Sequence, residues 1–129
     1  MKQTDSDNSR KCQKRLLIVD DDPSVRETLE DYFEYRGCRV RSAESVSEAR
    51  HTLAMGFSPD VVISDWQLGG PETGAELVRE IKRFKPNSET YLISGHSREE
   101  VIDDLGELEI SGIYTKPLEI GDLARSIGL

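Results

Sequence analysis

The chain has 129 residues, the size of one ordinary domain, and none of its apolar runs approaches the roughly 20 residues a membrane-spanning helix needs. Seventeen basic residues against 25 acidic ones give a formal charge of −8, which would repel a phosphate backbone. A soluble single domain is expected, with no membrane segment and no direct contact with nucleic acid.

Residues 1–14, MKQTDSDNSRKCQK, lack apolar periodicity and bury too little surface to offset chain entropy. They predict a disordered tail or linker ahead of a folded domain at 15–129. Short apolar runs then alternate with helical patterns. Strands are predicted at LLIV (16–19), CRV (38–40), VVIS (61–64), TYLIS (90–94) and GIYT (112–115). Between and after them, apolar residues recur at helical spacing: Val25, Leu29 and Phe33; Val46, Ala49 and Leu53; Leu77, Val78, Ile81 and Phe84; Val101, Ile102 and Leu105; Leu123 and Ile127. The last two of these five helices are short. Asp22-Pro23 has the form of an N-cap followed by proline at the first helical position, and Lys85-Pro86-Asn87 ends the third helix.

Strict β/α alternation implies a parallel sheet with helices on both faces, since parallel neighbours need a crossover. In such sheets sites form beyond the carboxyl ends of the strands, where strand order reverses. Those ends carry Asp20-Asp21, Ser64-Asp65, Ser94-Gly95 and Thr115-Lys116-Pro117, whereas the second strand runs into the undistinguished RSAES. With the second strand at an edge, order 2-1-3-4-5, the four polar ends become contiguous. Taken singly, each has an ordinary explanation: Asp22 as a helix cap, an aspartate as a turn residue, Ser94-Gly95 as a strand exit. Their conjunction is what needs explaining.

Three carboxylates crowded together repel one another by about 4 kcal/mol per pair at 4 Å in an effective dielectric near 20. A divalent cation would compensate. Hard oxygen ligands, with no histidine or thiolate placed beside them, select Mg²⁺ or Mn²⁺ over Zn²⁺. An oxygen-bound ion, a lysine and a hydroxyl are what phosphoryl transfer requires, with a carboxylate as nucleophile.

Over 15–127 these residues resemble the receiver domains of two-component response regulators, which have a flavodoxin-like fold. In LLIVDDDPSVR, Asp20 and Asp21 match the family's acidic pair; Asp65 in PDVVISDWQL matches its phosphoacceptor, with the backbone carbonyl of Gln67 completing the metal shell. Ser94 in YLISG matches the switch hydroxyl, and Lys116 in YTKP matches the phosphate-pairing lysine, whose bond to Pro117 is usually cis. Gln67 and His96 fall where the family modulates hydrolysis of the phosphoryl group. A histidine in a loop is, however, more often simply solvated. The resemblance implies a Mg²⁺-dependent phosphorelay receiver, charged by a histidine kinase or histidine phosphotransfer protein, that catalyses only its own phosphorylation and dephosphorylation and switches partner binding.

Departures from the pattern accompany the matches. DWQLGGPETGAEL has Gly69 where proline is common and is one residue longer before Gly74, closer to receivers of hybrid histidine kinases. Ile113 occupies the place of the switch aromatic and Tyr114 comes one residue later, on the opposite face of a strand, so the usual aromatic switch is in question. The brief, acidic fourth helix and the short fifth imply a different dimerisation face, and homodimerisation stays open. Two rivals remain. A phosphatase of the haloacid-dehalogenase type would use Asp20 as nucleophile and Asp22 as acid/base; a receiver-shaped adaptor would never be phosphorylated. Cys12 and Cys38 are read as incidental and a cytoplasmic location as the best fit.

Overall fold

Alternating strands and helices build one five-stranded parallel sheet, which a computed structural model describes for residues 13–129. The elements are β1 (Arg15–Val19), α1 (Pro23–Tyr35), β2 (Arg39–Ala43), α2 (Val46–Ala54), β3 (Val61–Asp65), α3 (Gly74–Phe84), β4 (Glu89–Ser94), α4 (Arg98–Leu105), β5 (Gly112–Thr115) and α5 (Ile120–Ile127). Strand order is β2-β1-β3-β4-β5, the order expected. No helix among the described residues is long and apolar enough to cross a membrane. Of the predicted tail, residues 1–12 lie outside the described residues; Lys14 donates to Glu89 and to the carbonyl of Ile127.

The two-residue repeat of the strands sorts side chains into two cores. Leu17 and Val19 of β1, Val62 of β3 and Leu92 of β4 pack with Ala49, Leu77, Val78, Ile81 and Val101 from α2, α3 and α4. Their strand neighbours Leu16, Ile18, Ile63 and Ile93 pack on the other side against Leu29, Phe33, Leu123 and Ile127 of α1 and α5. Burial of both sheet faces explains why β1, β3 and β4 are continuous apolar runs rather than alternating ones. At the edge, β2 exposes Arg39 and Arg41, buries Val40 between them on the α1–α5 side, and ends in Ala43, buried on the other side.

Three expectations are corrected. The second strand covers Arg39–Ala43 rather than 38–40, because it pairs residue for residue with β1, Arg15 to Arg39 through Val19 to Ala43. Phe84 and Ile102, at helical spacing, are 70% and 46% exposed, since Phe84 closes α3 and Ile102 lies on the outward side of α4. Cys38 is disulfide-bonded, so it is not an incidental thiol; Cys12 lies outside the described residues.

Candidate functional site

At the carboxyl edge of the sheet the chain leaves β1, β3, β4 and β5 with polar residues whose side chains are gathered in one region. Asp20 follows β1 with its N–H bonded to the carbonyl of Ala43, and is 1% exposed. One of its oxygens, Oδ1, accepts from the Asp22 N–H at 2.9 Å. The other, Oδ2, is buried without a hydrogen-bond partner among the described residues. Burial raises the Asp20 pKa; the Asp22 N–H and the Lys116 charge oppose this, while Asp21 and Asp22 add to it. Asp22 itself caps α1, accepting from the N–H and hydroxyl of Ser24 at 3.0 and 2.9 Å, so the acid/base of the phosphatase rival is occupied as a helix cap.

Asp65, the last residue of β3, is 6% exposed. Lys116 Nζ donates to its Oδ2 at 3.2 Å. Even so, its pKa is pushed up to about 6, first by burial and then by the charge of Asp20, which together outweigh the lysine. Burial alone would lower Lys116; the charges of Asp65, Asp20 and Asp21 reverse that and raise it. Carboxylate oxygens of Asp20, Asp21 and Asp65 all lie within 4.8 Å of one another. A partnerless buried oxygen within an all-carboxylate cluster fits a hard divalent cation: it leaves a lone pair for a ligand bond and supplies no soft donor.

Beside this cluster, Asp65, Gln67, Ser94, Gly95, His96 and Lys116 line a cleft of about 250 Å³. The Ser94 hydroxyl oxygen, buried at the end of β4, accepts from the His96 N–H at 2.8 Å. Lys116 is aligned by its N–H to the Ser94 carbonyl at 2.9 Å and is followed by a cis bond to Pro117. Across the mouth, His96 Nε2 meets Gln67 Oε1 at 2.8 Å and His96 Nδ1 meets Glu100 at 3.1 Å. Local geometry makes this convergence feasible. A Cβ on Gly74 would stand 2.3 Å from the Asp65 carbonyl oxygen, so only glycine lets α3 start against β3, while Gly69, at φ +78°, brings the loop over Asp21.

The structure therefore gathers Asp20, Asp21, Asp65, Gln67, Ser94, His96 and Lys116 at one end of the sheet. It separates Ile113 from Tyr114: Ile113 packs on the α2–α4 side and Tyr114 on the α1–α5 side, against Tyr91 and bonded to Ser126. Two contacts here were not anticipated. Arg26 of α1 donates to the Asp20 carbonyl at 2.8 Å, and Trp66 reaches Asp104 of α4. A bulky aromatic directly after a strand-final aspartate was the one local signal of the second.

Residues 16–128 match the family model of the response regulator receiver domain. The phosphate regulon transcriptional regulatory protein PhoB of Pseudomonas aeruginosa is 30% identical over 116 residues, covering 88% of this chain and 50% of PhoB. Sporulation initiation phosphotransferase F of Bacillus subtilis is 23% identical over 88% of this chain and 90% of its own length. A solved response regulator receiver protein from Pseudomonas putida superposes with a TM-score of 0.78 at 27% identity, over 90% of this chain and 96% of that one. Against the longer regulators the chain spans a fraction of their length, 50% for PhoB and 25% for the response regulator protein PilR of the same organism.

Proposed function

Because the chain belongs to the response regulator receiver domain family, we propose that it takes a phosphoryl group from a phosphohistidine, on a histidine kinase or a phosphotransfer protein, onto the carboxylate of Asp65. A Asp65 carboxylate oxygen bonds to phosphorus as the phosphorus–nitrogen bond breaks, and the departing imidazole takes up a proton. The observation that carries the reading is the setting of Asp65: buried at the end of β3, 3.2 Å from Lys116 Nζ and clustered with Asp20 and Asp21.

Each residue has a task in that scheme. Asp20, Asp21, Asp65 and the Gln67 carbonyl would hold Mg²⁺, or Mn²⁺ in its place. The ion supplies charge neutralisation for the carboxylates and the incoming phosphoryl oxygens. Lys116, held at the mouth of the cleft by its N–H bond to Ser94, pairs with a phosphoryl oxygen. The Ser94 hydroxyl accepts from His96 N–H and keeps its own proton to donate. Gln67 and His96, joined across the opening, govern the access of water. The modified state then alters affinity for a protein partner, and the folded unit that does this includes Lys14 as well as residues 15–129.

Incubation with acetyl phosphate and Mg²⁺ tests this. A mass gain of about 80 Da is expected, lost in Asp65→Asn and on chelation of the metal. An adduct that survives Asp65→Asn but disappears in Asp20→Asn would revive the phosphatase scheme, and no adduct with any donor would leave the adaptor. A cytoplasmic location goes with the reading, although the bonded Cys38 argues for an oxidising compartment. Thiol alkylation of protein quenched in acid from intact cells decides between them.

A further inference from the structure

Trp66 follows Asp65 directly but sends its indole sideways, onto α4. Its Nε1–H donates to Asp104 Oδ2 at 2.6 Å, and the same oxygen accepts from the Thr73 hydroxyl at 3.0 Å. Trp66 and Thr73 are the two ends of one loop. Gln67 and Thr73 form an antiparallel bridge, and the Gly74 N–H donates to the Trp66 carbonyl at 2.7 Å. Arg79 of α3 also donates to the carbonyls of Asp104 and Leu105, at 3.3 and 3.4 Å. The last turn of α4 is thus fastened to both ends of the loop that carries the Gln67 carbonyl. β5 contributes Ile113 rather than an aromatic to that side, while Tyr114 faces α1 and α5.

We propose that Asp104 is a positioning residue that couples occupancy of the Asp65 site to α4 through Trp66, an inference that rests on the receiver reading above. A cation held by the carboxylates and the Gln67 carbonyl restrains residues 67–73. The restrained loop presents the Trp66 N–H and the Thr73 O–H at fixed positions, so the bonds to Asp104 cost less ordering and α4 tightens. Coupling is reciprocal: the bonds to Asp104 in turn strengthen cation binding.

The test uses Mg²⁺ alone on the full chain, with two variants. Trp66→Phe keeps a ring and removes the N–H; Asp104→Ala removes the acceptor of both bonds. By calorimetry each is expected to bind Mg²⁺ about fivefold more weakly, and the double variant no more weakly than either single one. By hydrogen exchange, saturating Mg²⁺ is expected to slow the amides of 98–105 about fivefold in the unaltered chain and to leave them unchanged in both variants. Variants that bind Mg²⁺ as the unaltered chain does, or whose α4 amides slow to the same degree, overturn the inference; so does a double variant whose losses multiply. If the unaltered chain binds no Mg²⁺ and forms no adduct, the receiver reading fails and the coupling with it. Normal binding with an indifferent α4 removes the coupling alone.

Discussion

Asp60, directly before β3, and Asp65, its last residue, flank the same strand, and their environments push their acidities in opposite directions. At the amino end Asp60 accepts from the Arg15 N–H at 2.9 Å and from Lys85 Nζ at 3.1 Å. Burial would raise its pKa, but these partners outweigh burial and lower it. Asp65, at the carboxyl end, is raised to about 6, first by burial and then by the charge of Asp20, with Lys116 opposing and too weak to reverse it. Parallel strands begin with N–H groups that have no partner in the strand and end with carbonyls. Asp60 at the amino end has a backbone N–H and a lysine for its two oxygens, whereas at the carboxyl end Asp20 has a backbone N–H for one oxygen only and Asp65 accepts from Lys116. The first is a structural charge. The second is a charge kept in deficit, the condition for binding a cation.

The largest expected effect tests how tightly the carboxyl end is built. Gly74→Ala places a Cβ 2.3 Å from the Asp65 carbonyl oxygen and 2.7 Å from Ser64 Oγ. Overpacking against backbone should cost about 3 kcal/mol or more in denaturant unfolding. Gly70→Ala, with nothing within 4 Å of the added Cβ, should be nearly neutral. Equal losses for the two would mean that α3 is not pressed against β3 as described.

Next comes the deficit itself. A carboxylate whose native pKa lies above its unfolded value leaves the native state holding more protons, so stability falls as pH rises from about 4 through about 6. Without Mg²⁺, Asp65→Asn should therefore stabilise the chain by roughly 2 kcal/mol at about pH 8, a gain that shrinks toward zero at about pH 4. Mg²⁺ should stabilise the unaltered chain and have little effect on the variant. A gain independent of pH would remove the deficit.

Which of these features the amino-acid sequence discloses depends on how far apart the interacting residues lie. The strands that bracket the site are visible because β1, β3 and β4 are buried on both faces and appear as unbroken apolar runs, each followed by a polar residue. Their order could be argued only from where the polar ends would converge. The opposite faces of Ile113 and Tyr114 follow from the two-residue repeat alone. Distinguishing Asp65 from Asp20 as nucleophile did not come from local pattern, since both are carboxylates after apolar strands; the resemblance to receivers supplied it. Phe84 and Ile102 fit helical spacing yet are exposed, because periodicity does not say where a helix outruns the sheet beneath it. The bond from Trp66 to Asp104 joins positions 38 residues apart, and no local pattern relates them. The lowered pKa of Asp60 likewise depends on Lys85, brought to it by the end of α3.

The smallest expected effect sharpens the contrast most, because it fixes the sign at the other end of β3. Asp60→Asn keeps an acceptor for the Arg15 N–H but removes the charge facing Lys85 and Arg15. The Asp60 side chain is 37% exposed, so solvent screens the pair and the loss should be about 1 kcal/mol or less. Its pH course is the opposite of that at Asp65. A carboxylate with a lowered native pKa contributes its stability above the unfolded value near 3.8 and loses it as pH falls through the native one. Between about pH 5 and about pH 8 the Asp60→Asn loss should therefore stay constant, while the Asp65→Asn gain grows until the pH passes the native Asp65 value of about 6 and then levels off. If the two differences vary together, both aspartates respond to the net charge of the molecule rather than to their own ends of the strand.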